Sequence, residues 1–149
     1  MMSEKLPDVQ YTNPKYPIRI NRVGINMVEL PIFVSTKTGG VQHSVAKIDC
    51  YVDLAAHLKG TNMSRLIIGL QKFIGQQLNG KLIASIAENI RISAEADTCE
   101  LSYRFPYFIQ KLAPASNEPG TLPYHICFTG IKTKDNYIFK LGVKVLTTS

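Results

Sequence analysis

Residues 54–65 read Leu-Ala-Ala-His-Leu-Lys-Gly-Thr-Asn-Met-Ser-Arg, and within them a strand pattern gives way to a helix pattern. Before this stretch the apolar side chains repeat with period two, and after it they repeat with a period near 3.6. Its glycine can adopt positive φ, and Thr61 or Asn62 can cap the following helix. Positive side chains on both sides of the cap suit an anion. The same residue types also fit an ordinary helix start with solvated charges.

Two strands are predicted before this stretch. Residues 18–36 are rich in β-branched and apolar side chains whose parity changes beside Gly24, so we expect a bulge or bend there. Pro31 implies an edge strand or a second break. The Lys-Thr-Gly-Gly turn at 37–40 predicts a hairpin with a second strand over 42–54. That strand should have an apolar core face (Ala46, Ile48, Cys50, Val52, Leu54) and a polar face (His43, Lys47, Asp49, Asp53).

Two helices and three strands are predicted after it. The apolar spacing indicates helices over 63–78 and 81–95, each with one apolar stripe, and Asn79-Gly80 is a typical helix stop between them. Strand patterns follow over 98–112, with an interruption at Pro106, and over 124–132 and 137–146. A proline-rich loop over 113–123 and a hairpin turn over 133–136 separate these three strands.

This order predicts an α+β fold, in which an antiparallel sheet carries two helices packed on one face. The order is β-β-α-α-β-β plus one extra strand. We divide the chain into an extended N-terminal arm (1–16), one folded module (17–134) and the first strand of a second module (135–149). A sheet covered on one side leaves a second face and two edges unsatisfied, so we expect assembly with other modules.

Composition narrows the function classes. The 149 residues are 45% hydrophobic and 19% charged, which is typical of one globular domain. No apolar run is long enough for a membrane helix and no signal-peptide core is present, so we expect a cytoplasmic protein without membrane contact. The net charge of +6 favours an anionic partner. The basic residues are scattered, so nucleic acid is the weaker choice for that partner.

The three cysteines do not indicate a disulfide framework. Cys50, Cys99 and Cys127 are far apart and odd in number, and buried strand thiols are the preferred interpretation. His125 and Cys127 share one face of a predicted strand, so a metal pair is conceivable. Two ligands are only half of a zinc site, and we assign no metal ligand.

Several motifs carry a family resemblance. Residues 59–65, Lys-Gly-Thr-Asn-Met-Ser-Arg, resemble the Lys-Gly-Thr-His-Met-Ser-Arg signature of the type IB GTP cyclohydrolase I family. Further segments resemble that family in its own order: 6–10 (Leu-Pro-Asp-Val-Gln), 23–25 (Val-Gly-Ile), 105–108 (Phe-Pro-Tyr-Phe) and 113–114 (Ala-Pro). Together they span nearly all of the chain, but only about the N-terminal half of a family subunit.

The resemblance implies a tunnelling fold, in which sheets of neighbouring subunits join into a barrel. It also implies conversion of GTP to 7,8-dihydroneopterin triphosphate, a hydrolase reaction of folate and pterin biosynthesis. The implied partners are GTP or a pterin, and other tunnelling-fold subunits as a homo-oligomer or a C-terminal-half partner. The implied substrate-binding residues are Lys59, Gly60, Thr61, Asn62, Ser64 and Arg65. Lys59 and Arg65 would neutralise phosphate, and the hydroxyl and amide side chains would donate hydrogen bonds.

Two departures from the family pattern leave the activity open. The family's metal-binding Cys, His and Glu lie in its C-terminal half, and this chain ends before that cysteine. We therefore assign no catalytic residue, and expect zinc, manganese or iron only in a complete family enzyme. Asn62 stands where the signature has His, and an amide cannot shuttle a proton. The alternatives are a module of a split or longer cyclohydrolase and a non-catalytic binding or scaffold subunit. A pterin aldolase or a deazapurine nitrile reductase is less favoured.

Overall fold

The computed structural model describes residues 21–54, 63–112 and 119–145. Within these ranges the elements follow the predicted order: β1 (Asn21–Ser35), β2 (Val41–Leu54), α1 (Met63–Gln71), α2 (Gly80–Ser93), β3 (Ala96–Leu112), β4 (Pro119–Thr133) and β5 (Tyr137–Val145). The strands form an antiparallel sheet in the order β1-β2-β3-β4-β5. The α+β class with two helices on an antiparallel sheet is confirmed. The proposed N-terminal arm lies outside the described residues.

The core lies between the two helices and one face of the sheet. Ile48 of β2, Leu70 of α1 and Ile86 of α2 line one small cavity, which places both helices on the same face. The predicted core positions of β2 are all buried: Ala46, Ile48, Cys50, Val52 and Leu54. Full burial of one Leu or Ile side chain contributes about 1.5–3 kcal/mol. This helix–sheet interface therefore supplies much of the folding free energy.

The bulge in β1 lies beyond the predicted position at Gly24. The β1–β2 register shifts between Ile25 and Val28, and Met27 has a φ of 61°. Ile25 has an odd number and Val28 an even one, so in a regular strand their side chains would lie on opposite faces. The bulge between them puts both side chains on the same face. The Met27 N–H donates to Asp49 Oδ1 at 2.9 Å, which stabilises the bulge. The edge position predicted from Pro31 is confirmed, since β1 is the first strand of the sheet.

The helix boundaries differ from the prediction at the connection between α1 and α2. α1 ends at Gln71, not at residue 78, and the turn that follows contains Gly75 at a φ of 95°. The Leu78 N–H then donates to Phe33 O on β1 at 2.8 Å, which draws the chain out of the helix path. Asn79 begins α2 instead of ending α1, because its side chain accepts a hydrogen bond from the Leu82 N–H. α2 ends at Ser93, before the predicted residue 95.

The third and fourth strands are longer than predicted. β3 continues through Pro106, so the predicted interruption is wrong. Pro106 lies beyond the last β2–β3 backbone pair, and its carbonyl accepts a hydrogen bond from Ser44 Oγ at 2.8 Å. The position at which Pro106 lacks an N–H therefore faces the side of β3 where backbone pairing with β2 has already ended, so no strand-to-strand hydrogen bond is lost. β4 begins at Pro119, so the predicted loop is wrong for residues 119–123, while residues 113–118 lie outside the described ranges.

The last strand is confirmed over Tyr137–Val145 and pairs antiparallel with β4. The predicted hairpin turn is also confirmed, since the Thr133 N–H donates to Asn136 O at 2.9 Å. That β5 opens a second module remains a prediction.

Candidate functional site

The predicted anion site follows β2, where the chain leaves the sheet. β2 ends at Leu54 and α1 begins at Met63, so the predicted change from strand to helix is confirmed on both sides. Lys59, Gly60, Thr61 and Asn62 lie outside the described residues. Of the six predicted binding residues, the structure describes Ser64 and Arg65, both exposed on the first turn of α1.

Arg65 links the two helices. Its Nη1 donates to Ser93 O at 2.9 Å, and Ser93 is the last residue of α2. The C-terminal end of a helix carries partial negative charge, which favours a cation. The first turn of α1 contains no acidic residue that would repel an anion or compete with it for the helix N-terminus. The start of α1 therefore combines an arginine with a helix N-terminus.

Close packing of the helices fixes this junction. A Cβ placed on Gly69 of α1 would lie 2.5 Å from Cγ1 of Ile90 on α2. Both residues are buried, so the absence of a side chain at Gly69 is what allows the helix backbones to approach. This contact lies one turn beyond Arg65. The close approach of the two helices there keeps the Arg65 guanidinium within reach of the Ser93 carbonyl.

A first charged cluster lies on the helix-free face of the sheet, at the end where β2 stops. Arg22 Nη2 lies 3.3 Å from Glu100 Oε1, and its Nη1 lies 3.7 Å from Asp53 Oδ1. The guanidinium also lies 4.8 Å from the ring centroid of Tyr51. Asp53 Oδ1 is buried and has no hydrogen-bond partner, so Arg22 balances its charge without a direct bond. The alternation in β2 predicts Asp53 on this face, but no local pattern identifies its partner Arg22.

A second charged cluster lies further along the same face. Arg104 Nη1 donates to Asp49 Oδ2 at 2.8 Å, and the other oxygen of Asp49 accepts the Met27 N–H. Arg104 Nη2 also donates to Met27 Sδ at 3.1 Å. The alternation of polar residues in β3 places Arg104 on this face. Its partners in β1 and β2 follow from the pairing of the strands, which the alternation does not contain. These contacts tie the β1 bulge to β3.

The cysteines are free thiols in the described part of the chain. Cys50 and Cys99 are fully buried, as predicted. The hydrogen bond with Cys50, together with burial, raises the pKa of Cys99, so it stays a protonated thiol.

The described residues do not fit a metal centre. Cys127 is half-buried with its Sγ 3.6 Å from Thr129 Oγ1, and His125 is exposed. Residues 21–54, 63–112 and 119–145 contain no group of three or more His, Cys, Asp or Glu side chains arranged to hold an ion. We therefore derive no step through a metal on these residues. In the same ranges, none of the helices is long and apolar enough to cross a membrane.

The fold and the site define an α+β protein of the tunnelling type: an antiparallel sheet with paired helices on one face and a cationic helix start after its second strand. The family model for type I GTP cyclohydrolase FolE2 matches residues 6–149. The chain belongs to this family.

Curated relatives support the same assignment. GTP cyclohydrolase FolE2 of Nitratidesulfovibrio vulgaris is 37% identical over 140 residues, which cover 94% of this chain and 53% of the relative. The Syntrophus aciditrophicus protein of that name is 37% identical over 142 residues, 95% of this chain and 55% of the relative. The Azoarcus protein is 37% identical over 149 residues, 99% of this chain and 55% of the relative. The chain thus spans about half the length of the curated relatives it matches.

Proposed function

We propose that this chain is a module of a type IB GTP cyclohydrolase, which converts GTP to 7,8-dihydroneopterin triphosphate in folate and pterin biosynthesis. The observation that carries the proposal is the family match over residues 6–149. Three relatives named GTP cyclohydrolase FolE2 extend over nearly the whole chain at 37% identity. The aligned regions cover 94%, 95% and 99% of the chain, so the likeness is not confined to one loop.

The module's part in this function is to bind the substrate at the start of α1. Lys59 and Arg65 would neutralise phosphate charge, and Thr61, Asn62 and Ser64 would donate hydrogen bonds. The absence of acidic residues from the first turn of α1 supports this role, because the positive end of the helix dipole then meets the ligand without a competing negative charge. Gly60 would allow the backbone to approach the ligand closely.

The reaction needs groups beyond the described residues. Ring opening by water requires an activated nucleophile and an acid–base group, and a divalent metal such as zinc, manganese or iron supplies this activation in a complete enzyme of the family. We propose that a further module carries that centre, from a second copy or from a C-terminal-half partner. This chain alone is then inactive on GTP but able to bind it.

A non-catalytic binding or scaffold subunit is the second candidate. Asn62 favours it, because the family signature has histidine there and an asparagine cannot transfer a proton near neutral pH. Both candidates bind a nucleotide or pterin. They differ in whether the assembled protein releases formate.

Isothermal titration of the 149-residue chain with GTP and with a pterin tests the binding site. Arg65→Gln should weaken GTP binding by about tenfold, the effect of losing one charge-assisted contact. The matched control is Lys72→Gln, which removes an exposed cation just beyond α1 and should leave the affinity unchanged. Equal affinity of both variants would remove Arg65 from the site. Thermal melting of both variants verifies that they remain folded.

Formate release separates the two candidates. The chain should release none alone and a measurable amount after mixing with the remaining part of a curated relative and a divalent metal. Binding without formate release in the mixture would favour the scaffold subunit. Formate release by the chain alone would contradict the proposed division of the enzyme.

A further inference from the structure

The helix-free face of the sheet carries its charges unevenly. Its acidic side chains lie on β1, β2 and β3, and they include Glu29, Asp49, Asp53 and Glu100. Arg22 and Arg104 form ion pairs with three of these four acids. β4 and β5, over Pro119–Thr133 and Tyr137–Val145, contain no acidic residue. The part of the face that these two strands form therefore has no negative side chain of its own.

Two lysines of β5 lie on this part of the face, with Gly142 midway between them. Lys140 and Lys144 are both exposed. Their side of the sheet is fixed by the preceding Phe139, whose ring lies against Gly80 of α2 on the opposite face. Neither lysine side chain forms an ion pair or a hydrogen bond with the residues that the structure describes. Within the described part of the chain, both ammonium groups are therefore free to meet a ligand.

Small polar side chains form the floor beside the two lysines. Gly142 lies opposite Cys127, whose Sγ is 3.6 Å from Thr129 Oγ1. Thr129 Oγ1 in turn lies 3.3 Å from Ser102 Oγ of β3. Only one of these two hydroxyls donates to the other, so the second keeps its hydrogen for another acceptor. The floor therefore contains a hydroxyl donor next to the two cations.

The glycine leaves open space above this floor. The nearest atom to a Cβ placed on Gly142 would be Cys127 Cβ at 3.7 Å, which is an ordinary contact distance. The two lysines are about 13 Å apart along the strand, and their flexible four-carbon stems can bring both ammonium groups toward this space. His125 lies opposite Lys144 and is exposed at the rim. We call these residues the β4–β5 basic patch: His125, Cys127, Thr129, Lys140, Gly142 and Lys144.

We propose that the β4–β5 basic patch binds inorganic pyrophosphate, with one phosphate group toward each lysine. Pyrophosphate has two anionic groups joined by one bridging oxygen, which suits two cations on either side of one open position. The hydroxyl on the floor and the ring of His125 can donate to the remaining oxygens. A nucleic-acid backbone would need a longer row of cations. Because both lysines are exposed, we expect a dissociation constant of about 0.1–1 mM.

Amide NMR spectra locate the ligand. The ¹⁵N-labelled 149-residue chain is titrated with pyrophosphate at constant ionic strength, so that general screening does not change. The signals of Cys127, Thr129 and Gly142 should move and should saturate as pyrophosphate passes about 1 mM. Signals in the patch that stay unchanged throughout the titration would overturn the proposal.

The same titration keeps this inference apart from the proposed function. The patch lies on the helix-free face, whereas the proposed nucleotide site lies at the start of α1. Arg65→Gln should therefore leave the signal changes in the patch intact. Changes confined to the start of α1 would overturn the patch and leave the proposed function standing. Changes confined to the patch would do the reverse.

The thiol of Cys127 gives a second measurement, because it is half-buried whereas Cys50 and Cys99 are buried. The thiolate of Cys127 attacks the neutral disulfide 4,4′-dithiodipyridine, which forms a mixed disulfide and releases one thiopyridone. Bound pyrophosphate covers the floor of the patch and should slow this reaction. A pyrophosphate concentration of about three times the dissociation constant fills three-quarters of the sites, so the rate should fall by at least about threefold.

Matched variants test the two lysines. Lys140→Gln should raise the pyrophosphate concentration needed for protection by about tenfold, because one charge-assisted contact is lost. Lys134→Gln is the control, since it removes an exposed cation in the turn between β4 and β5 with the same change in net charge. It should leave the protection unchanged. Equal effects of the two variants would overturn the proposal.

Two further comparisons test the shape of the patch. Gly142→Asp places a carboxylate in the open space and should abolish the protection, and thermal melting verifies that this variant remains folded. Orthophosphate should protect Cys127 only at concentrations at least about tenfold higher than pyrophosphate, because a single phosphate group does not extend to both lysines. Protection that survives Gly142→Asp in the folded chain, or equal protection by the two anions, would refute the two-lysine arrangement.

Discussion

The contact between Gly69 of α1 and Ile90 of α2 leaves no room for a methyl group. A Cβ on residue 69 would lie 2.5 Å from Cγ1 and 3.1 Å from Cδ1 of Ile90. Cγ1 is close to the backbone of Ile90, so a rotation of the side-chain tip cannot relieve the overlap. Gly69→Ala must therefore push the helices apart or force Ile90 away from its preferred rotamer.

The magnitude follows from two opposed effects. In an unconstrained helix interior, replacing Gly by Ala stabilises by about 1 kcal/mol. Overpacking a well-filled core costs about 1–3 kcal/mol, and the upper part of this range applies because the overlap involves a carbon near the backbone. We expect a net destabilisation of about 1–2 kcal/mol. The free energy of unfolding from urea denaturation, followed by circular dichroism, measures it.

A double-mutant cycle with Ile90→Ala gives the control. Ile90→Ala alone should cost about 2–5 kcal/mol, because the residue is fully buried. In the double variant the new methyl group occupies part of the space that Ile90 vacates. Its destabilisation should therefore be smaller than the sum of the single effects by at least about 1 kcal/mol. Unchanged or increased stability of Gly69→Ala, or additivity in the cycle, would refute the packing argument.

Two further predictions concern α2. Asn79→Ala removes the hydrogen bond from the Leu82 N–H, 2.7 Å long, and should lower the free energy of unfolding by about 1 kcal/mol, whereas Asn79→Asp should retain most of it. Urea denaturation midpoints of the two variants measure these effects. An unchanged midpoint for the alanine variant would show that the Asn79 cap does not stabilise α2. The hydrogen bond from Arg91 lowers the pKa of Glu88, and Lys132 Nζ at 3.4 Å acts in the same direction. The stability from a lowered carboxyl pKa is present above the ordinary value of about 4.3 and is lost as pH falls through the lowered value. Glu88→Gln should reduce the loss of unfolding free energy at acidic pH by less than about 1 kcal/mol, because the carboxylate is partly exposed. Thermal melting across a pH series measures it, and parallel curves for both proteins would contradict the assignment.

Local periodicity made most of the fold predictable. The alternation in β2 and the apolar stripes of both helices are properties of neighbouring residues, and they fixed the element order and the core face. The connection between the helices was predicted incorrectly because Asn79-Gly80 suits both a helix stop and a helix start. The hydrogen bond from Leu78 to Phe33 decides between them, and no local pattern contains it.

Pro106 shows the limit of a rule applied without pairing information. A proline interrupts a strand only where its missing N–H would have met a neighbouring strand. In β3 the backbone ladder to β2 ends before this residue, so the strand continues. The side chains of Ser44 and Gln42 bond the backbone of β3 in place of the ladder, at Pro106 and Phe108.

The change from strand to helix after β2 was predictable, but the contacts around it were not. The change of period located it between β2 and α1, and that an anion binds there stays a prediction from the residue types. The partner of Arg65 is a carbonyl 28 residues away, and the partner of Arg22 is a carboxylate 78 residues away. Such pairs depend on how helices and strands pack. The sequence contains the charged residues, and the packing of the helices and strands decides which of them contact each other.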